Sequence, residues 1–193
     1  MTRVYFVRHA QPDHDWKEDR TRPLTEEGKK DSAIVLEFLK DKKIDAFYGS
    51  PYKRSVDTIA DAAAFFGKEI ITDERLRERE KGPDGNNHAM FQKRWADHDY
   101  HEEGGESLAM VQERNIEALN EILSENIEKD IVIGTHGTAL STILNFYDSN
   151  FGCEDFLRII DWMPYIIELD FEGNQLVGKQ EHCHAEKEFK ARR

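Results

Sequence analysis

Two short apolar runs, each followed closely by a histidine, constrain the fold of this chain more than any other feature. Residues 4–7 (Val-Tyr-Phe-Val) run directly into Arg8 and His9, and residues 131–133 (Ile-Val-Ile) are followed three positions later by His136. Continuous apolar runs of this length are typical of strands that are buried on both faces of a sheet. Polar residues at the ends of such strands predict a site at the carboxyl edge of an open α/β sheet, where ligands bind.

Taken singly, these residues also have plainer interpretations. Arg8 and His9 are compatible with a strand that simply ends in solvent, and a lone histidine at a strand end is usually structural. Burying an unpaired guanidinium is costly, however, so Arg8 at the end of a buried strand indicates a bound anion. Two histidines after two buried strands are a more specific signal, and Gly137 behind His136 would let the backbone approach a ligand closely.

Strand patterns and helical patterns alternate along the chain, which predicts an α/β fold. The predicted strands cover residues 4–7, 44–48, 69–72 and 131–133, with a hairpin at 165–171 and 175–179. Two helices are predicted with their N-caps: residues 25–42 with Thr25, and a helix from Pro51 to near Gly67 with Ser50. Four more are predicted: a short helix around residues 90–95, a long one after Ser107, one after Gly137 and one at residues 155–160. The hairpin predicts an antiparallel edge on an otherwise parallel sheet.

Charge and length narrow the function classes. The 193 residues carry a formal net charge of −12 at a pI of about 5.1, which argues against general nucleic-acid affinity. An anionic substrate would have to be drawn in by a local basic pocket. The length is within reach of one domain, so we expect a single domain over residues 1–193 with a polar, frayed tail from about residue 180.

The cellular setting is predicted from what the sequence lacks. Cys153 and Cys183 make no disulfide framework, which is typical of a reducing cytosol. No apolar run approaches transmembrane length, and the first strand begins so early that we expect no signal peptide. We therefore expect a cytoplasmic protein without a membrane partner; the sequence makes no prediction of oligomeric state.

Two further charged residues follow the second and third predicted strands. Arg54 lies in the first turn of the helix after the second strand, where an arginine strengthens an anion site, although a solvated surface arginine is the simpler interpretation. Glu78 belongs to a charged run, residues 73–81, most of which is expected to be solvated surface. Glu80, two residues on, is an alternative acid on the same face if the segment is extended.

Brought to one sheet edge, these residues form a cationic cup that contains one acid. Two arginines can grip phosphoryl oxygens through paired donors, and charge neutralisation does much of the work of phosphoryl transfer. A histidine can act as nucleophile, and a carboxylic acid can protonate the departing oxygen. The residues of this predicted site are Arg8, His9, Arg54, Glu78 and His136.

No metal or other cofactor is predicted. His98 and His101, with the acids beside them, are typical of a wet loop, because they complete no ligand set. The motif His182-Cys183-His184 has metal-ligating side chains, but a frayed terminus is the simpler interpretation.

Five segments in chain order resemble the signatures of the histidine phosphatase superfamily, the phosphoglycerate-mutase-like enzymes. They are residues 8–10 (Arg-His-Ala), 50–58 (Ser-Pro-Tyr-Lys-Arg-Ser-Val-Asp-Thr), 76–78 (Leu-Arg-Glu), 104–107 (Gly-Gly-Glu-Ser) and 135–137 (Thr-His-Gly). The resemblance implies a three-layer α/β/α sandwich and a phosphohistidine mechanism without metal. It implies that His9 is the nucleophile and Glu78 the general acid, and that Arg8, Arg54 and His136 hold the phosphoryl group. Gly137 and Gln11 complete the predicted substrate-binding set.

Departures from the family pattern favour a plain phosphatase. Ala10 stands where glycine is usual, and Gln11-Pro12-Asp13 replaces the common Glu-Thr or Glu-Ser. The segment at residues 79–104 is short, and Lys93-Arg94 only weakly echoes the arginine pair that binds the substrate carboxylate in the glycolytic mutases. We therefore expect a phosphomonoesterase for a small phosphorylated metabolite. The alternatives are a phosphoglycerate mutase and a weakly catalytic phosphate-binding domain.

Overall fold

The computed structural model describes residues 1–188, which form a six-stranded sheet with helices on both faces. The strands are β1 (Thr2–Arg8), β2 (Ala46–Gly49), β3 (Ile70–Thr72), β4 (Asp130–Thr135), β5 (Trp162–Glu172) and β6 (Gln175–Glu186). The helices are α1 (Glu26–Asp31), α2 (Ala33–Leu39), α3 (Lys53–Phe65), α4 (His88–Ala96), α5 (Leu108–Glu125), α6 (Gly137–Tyr147) and α7 (Cys153–Ile159), with a 3₁₀ turn at Glu74–Leu76. None of the described helices is both long and apolar enough to cross a membrane.

The strand order is β3-β2-β4-β1-β5-β6. The first four strands in this order are mutually parallel, whereas β5 is antiparallel to β1 and β6 is antiparallel to β5. The predicted fold class, a mostly parallel sheet with an antiparallel edge, is confirmed. Because β1 and β4 are adjacent and parallel, their carboxyl ends meet at one edge of the sheet.

Strand β1 is buried on both faces, as its apolar run predicts. Val4 and Phe6 point into a core formed with α5, α6 and α7, while Tyr5 and Val7 point into a second core formed with α2 and α3. All four side chains are at most 1% exposed. Two cores on opposite faces of one sheet make the three-layer α/β/α arrangement.

The prediction of one continuous helix over residues 25–42 is wrong, because this segment forms two helices, α1 and α2. Thr25 is the N-cap, as predicted, with its Oγ1 accepting the Gly28 amide at 2.9 Å. The helix is interrupted at Ser32, whose hydroxyl donates to the Lys29 carbonyl at 2.6 Å and so competes with regular helical bonding. A Cβ on Gly28 would lie 2.3 Å from the Gln11 carbonyl oxygen, so α1 packs directly on the backbone after β1.

The predicted start of α3 is two residues too early. Ser50 is not the N-cap; its hydroxyl accepts the Tyr52 amide at 3.2 Å and closes a local turn instead. Tyr52, with an extended backbone, takes the N-cap position, and the helix begins at Lys53. Arg54 therefore still lies in the first turn, as predicted.

The prediction of a frayed tail from residue 180 is wrong for residues 180–186. These residues continue β6, where Glu181 pairs with Ile167 of the long strand β5. The His184 ring stacks on Trp162 at 3.8 Å, and His182 Nε2 lies 2.8 Å from Glu168 Oε2. Strand β5 is long enough to pair with residues 180–186. The polar composition of these residues gives no sign of that pairing. The rest of the predicted tail, residues 189–193, lies outside the described residues.

Candidate active site

The pairing of β1 with β4 brings the two predicted histidines together. Arg8 is the register partner of Thr135, and the His9 amide donates to the Thr135 carbonyl at 3.1 Å. His9 and His136 follow these paired residues, and their ring centroids are 5.2 Å apart with the planes at 63°. Both side chains are buried.

A cavity of about 360 Å³ opens at this carboxyl edge. Five of the predicted site residues line it: Arg8, His9, Arg54, Glu78 and Gly137. The other lining residues are Pro12, His14, Asp19, Arg22, Arg79, Lys81, Asn86, Phe91, Thr138, Phe156, Ile160 and Met163. Arginines and lysines outnumber the lining carboxylates, so a chain with a net charge of −12 carries a cationic pocket. Its volume is suited to a small ligand.

Arg8 is held at the floor of this pocket. Its Nη1 donates to the Ile159 carbonyl at 2.7 Å. The guanidinium lies against Gly137, where an added Cβ would be only 3.1 Å from Arg8 Nη2. The sequence predicted that Gly137 lets backbone approach a ligand; in the structure Arg8 occupies that space. Burial lowers the pKa of Arg8 to about 10, so the group stays cationic at neutral pH.

Arg54 is held by the loop that follows Gln11. Its Nη1 donates to the Asp19 carbonyl at 2.7 Å and lies 3.2 Å from Asp19 Oδ1. The same carboxylate accepts Nη1 of Arg22 at 2.5 Å. Burial lowers the pKa of Arg54, and Asp19 opposes that shift. Sequence reasoning missed Asp19 and Arg22; the only signal was the polar composition of residues 12–23.

His9 is poised as a neutral imidazole. Its Nδ1 lies 2.8 Å from the Ala10 carbonyl oxygen, which can only accept, so Nδ1 carries the proton and Nε2 keeps its lone pair. Burial, and then the charges of Arg54 and Arg8, hold the pKa of His9 well below 6.5. A neutral imidazole with a free lone pair is the form that can attack an electrophile.

A threonine fixes the turn that carries His9. Thr58 Oγ1 accepts the Ala10 amide at 2.9 Å and donates to the Arg54 carbonyl at 2.7 Å. Thr58 thus joins the segment after β1 to the helix that supplies Arg54. Thr58 belongs to the motif at residues 50–58, but nothing in the sequence pattern distinguished it from the other residues of that motif.

His136 has no hydrogen-bond partner at either ring nitrogen within the described chain. Burial, and then the charge of Arg54, hold the pKa of His136 well below 6.5. Buried polar atoms in native proteins are normally satisfied, so two unsatisfied nitrogens are unusual. The His136 ring is fully buried against the rings of His9 and Tyr52 and is not part of the cavity lining. A contact between His136 and a phosphoryl group therefore stays a prediction.

Glu78 lies at the amino terminus of α6. Its Oε2 accepts the Thr138 amide at 3.0 Å, and its Oε1 accepts the amides of Ala139 at 3.1 Å and Arg79 at 2.8 Å. These three donors fix the carboxylate at the cavity wall. Glu80 is exposed and does not line the cavity; its own amide donates to Glu106.

The structure does not bring Gln11 into the cavity lining. Its Oε1 accepts the Thr25 hydroxyl at 3.0 Å, at the start of α1. A contact between Gln11 and a substrate therefore stays a prediction. Residues 1–188 contain no group of three or more His, Cys, Asp or Glu side chains arranged to hold a metal ion.

Comparison with known proteins identifies the superfamily of this chain and its fold. A model of the histidine phosphatase superfamily (branch 1) matches residues 4–175. Phosphoserine phosphatase 1 of Hydrogenobacter thermophilus is 26% identical over 157 residues, covering 70% of this chain and 71% of the relative. The solved structure of Bacillus stearothermophilus YhfR superposes with a TM-score of 0.77 at 23% identity, covering 92% of this chain and 95% of that one. Phosphoserine phosphatase from Entamoeba histolytica, solved with phosphoserine, gives 0.74 at 20% identity and covers 95% and 96%.

Proposed function

Since the chain belongs to the histidine phosphatase superfamily, branch 1, we propose that it is a phosphomonoesterase that works through a phosphohistidine on His9. The observation that carries this proposal is the state of His9 itself. Its Nδ1 proton is tied to the Ala10 carbonyl, and Arg8 and Arg54 stand beside it in the cavity. This arrangement presents a neutral nucleophile to a group that two guanidinium ions would hold.

In the first step, His9 Nε2 attacks phosphorus and the bond from phosphorus to the alkoxy oxygen breaks. Arg8 and Arg54 neutralise the charge on the non-bridging oxygens, and one nitrogen of His136 donates to them. Glu78 enters this step protonated and gives its proton to the departing oxygen, so the alcohol leaves neutral. Glu78 is left as the carboxylate that its three backbone amides hold.

In the second step, water attacks the phosphorus of phospho-His9. Glu78, now a base, accepts the proton of that water, and the bond from phosphorus to Nε2 breaks. Inorganic phosphate leaves, His9 regains its lone pair and Glu78 regains its proton, so the cycle closes without a metal ion.

The substrate we propose is a small phosphorylated metabolite. A cavity of about 360 Å³ is suited to a molecule of that size. Phosphatase-named relatives, one of them solved with phosphoserine, support the same class of substrate. The unpaired Cys153 and Cys183 agree with a reducing compartment, so we propose a cytoplasmic location.

Trapping the intermediate tests the proposal. The enzyme is incubated with a ³²P-labelled phosphomonoester, quenched in alkali and mapped by peptide. We expect an acid-labile label on His9, lost in His9→Ala and kept in the control His88→Ala, which changes an exposed histidine of α4. Steady turnover by His9→Ala would sink the mechanism.

The metal-free part of the proposal has its own test. Phosphate release is measured after exhaustive dialysis against a chelator, and again after adding zinc or magnesium. We expect the same rate throughout, because the proposed steps use only side chains. Loss of activity on chelation, with recovery on adding metal, would overturn that part while leaving the phosphatase activity in place.

A further inference from the structure

The segment that carries Glu78 has no regular structure of its own. After the 3₁₀ turn at Glu74–Leu76, residues 77–87 form neither helix nor strand. Irregular backbone is held less firmly than a helix or a strand, because it lacks a ladder of hydrogen bonds. A proton donor must lie within hydrogen-bond reach of the oxygen that it protonates, so contacts from outside the segment have to fix its backbone.

Arg114, on helix α5, contacts this segment through its guanidinium. Nη1 donates to the carbonyls of Arg75 and Arg77, both at 2.7 Å, and Nη2 donates to the carbonyl of Glu78 at 3.0 Å. Nε and Nη2 also donate to the Glu106 carboxylate, at 2.9 and 2.8 Å. All five N–H donors of the guanidinium are therefore used, and three of them hold main-chain carbonyls of one short stretch.

The Glu106 carboxylate bonds to the same stretch. Its Oε2 accepts the Glu80 amide at 2.8 Å, and its Oε1 accepts Nη2 of Arg77 at 2.9 Å. Burial raises the pKa of Glu106, but the hydrogen bonds from Arg114 and the Glu80 amide outweigh burial and lower it, so the group stays ionised. Arg114 and Glu106, whose side chains are 12% and 14% exposed, thus bind the main chain before, at and after Glu78, and we call them the Arg114–Glu106 pair.

Helix α5 also contacts the helix that binds the Glu78 carboxylate. Gln112 Nε2, on α5, donates to the Thr142 carbonyl at 2.9 Å and to Asn145 Oδ1 at 3.0 Å, both on α6. Two amides in the first turn of α6 bind the Glu78 carboxylate. One helix therefore fixes both the backbone of Glu78 and the helix end that holds its side chain.

Neither member of the pair lines the cavity, so an effect on the reaction would have to pass through the segment that they hold. We propose that Arg114 and Glu106 are positioning residues, which keep the Glu78 carboxylate at the geometry required for proton transfer to the leaving group. The inference rests on the proposed function, in which Glu78 is the general acid. Without the pair, Arg8 and Arg54 still bind the phosphoryl group, but Glu78 is no longer held within reach of the departing oxygen.

A change at Arg114 should reproduce the leaving-group pattern of a misplaced general acid. Arg114→Met removes all five donors and keeps an unbranched side chain. We expect it to lower kcat/KM for O-phosphoethanolamine, an alkyl phosphate, by about ten- to a hundredfold, the cost of misplacing a reacting group by roughly an ångström. p-Nitrophenyl phosphate should lose far less, because its phenolate leaves without a proton. Arg114→Lys should regain part of the lost rate.

A second variant covers the case in which Arg114→Met strands a charge and unfolds the chain. Arg114→Met/Glu106→Met removes both charges together, which avoids leaving the carboxylate unpaired. It should show the same selective loss on the alkyl phosphate. Because the two residues act as one pair, the loss should be no larger than in Arg114→Met alone.

A third variant separates positioning from a general effect on the fold. If the pair acts through Glu78, adding Arg114→Met to Glu78→Gln should cause no further loss on the alkyl phosphate, because the proton donor is already absent. A merely structural role would make the two losses multiply. The matched control is Arg3→Met, which removes a guanidinium bound to Glu168 and Asp170 at the amino end of β1, away from the cavity. It should keep native rates on both substrates.

Each outcome decides one of the two proposals. Native rates or equal losses on both esters in Arg114→Met, or a further loss when it is added to Glu78→Gln, would overturn the positioning role and leave the phosphatase proposal standing. If the native protein hydrolyses no phosphomonoester, the proposed function fails, and amide hydrogen exchange decides whether the pair holds the segment. The amides of Arg79 and Glu80 must then exchange faster in Arg114→Met than in the native protein and in Arg3→Met. Equal exchange would show that the pair does not hold them.

Discussion

His9 and His136 lie side by side, 5.2 Å between ring centroids, because the residues before them, Arg8 and Thr135, are register partners in adjacent parallel strands. Hydrogen bonding of the sheet, rather than any contact between the rings, sets this distance. Both imidazoles are buried next to Arg54, which disfavours a further positive charge. The pair is therefore kept neutral in the free protein.

This neutrality predicts how stability depends on pH. Both histidines have a folded-state pKa well below 6.5, whereas in the unfolded chain they titrate near 6.5. Below about pH 6.5 the unfolded chain binds more protons, so the free energy of unfolding falls as the pH drops. The loss is at most about 1.4 kcal/mol per pH unit for each histidine.

Urea unfolding at pH 7.5, 6.5 and 5.5, above the range where most carboxylates titrate, measures this slope. The double variant His9→Asn/His136→Asn should flatten it, while His88→Asn, at an exposed position, should not. An unchanged slope in the double variant would show that these histidines are not the groups that resist protonation.

A methyl group at Gly137 should disturb the phosphoryl site through Arg8. The Cβ of Gly137→Ala would lie 3.1 Å from Arg8 Nη2 and 3.2 Å from its Cζ, so the guanidinium must shift. Displacement of a positioning group by a fraction of an ångström to an ångström lowers turnover by about ten- to a hundredfold. We expect that loss in kcat/KM for p-nitrophenyl phosphate, with little change in Tm.

The matched control is Gly152→Ala, where an added Cβ would meet no atom closer than 3.8 Å. It should keep native activity. Equal rates for Gly137→Ala and the native enzyme would mean that Arg8 does not need its observed position.

The part of the site that sequence could predict comes from local patterns. The apolar runs before His9 and His136 specify buried strands, and the order of strands and helices puts their carboxyl ends together. The buried contacts among Arg79, Arg94 and Glu102 leave no such pattern, because Arg79 and Glu102 lie in irregular segments and only Arg94 lies on a helix, α4. Their proximity depends on how the chain between residues 79 and 102 folds back beside the cavity. Arg54 was found from its helix, but its partner Asp19 belongs to an irregular loop.

The end of β6 was mispredicted for a related reason. Its residues are polar, so composition suggests a frayed terminus, yet they pair with β5 and place His182 against Glu168. Truncation after Lys179 should therefore destabilise the protein rather than merely trim it. A loss of about 2 kcal/mol would lower Tm by roughly 4–8 °C at this chain length.

Thermal unfolding of two truncations checks this expectation. Ending the chain after Glu188 keeps every described contact and should leave Tm near the native value. If the shorter truncation, after Lys179, melts at the same temperature as the longer one, residues 180–186 do not contribute to stability through β6.

Glu78 gives the sharpest kinetic prediction, because its carboxylate is fixed by three backbone amides at the cavity wall while Glu80 is exposed outside it. A general acid matters most when the departing alkoxide is strongly basic, and least when it is a stable phenolate. General acid catalysis is worth about a hundred- to ten-thousandfold. We therefore expect Glu78→Gln to slow hydrolysis of alkyl phosphates by that factor and to affect p-nitrophenyl phosphate far less.

The Glu78→Gln variant keeps the size and shape of the side chain. Glu80→Gln is the matched control, and we expect it to show native rates on both substrates. Measured as kcat/KM over a series of leaving groups, the dependence on leaving-group pKa should steepen in Glu78→Gln alone. Equal losses on alkyl and aryl esters would mean that Glu78 positions the phosphoryl group instead of donating a proton. A selective loss in Glu80→Gln would assign the proton to the other carboxylate.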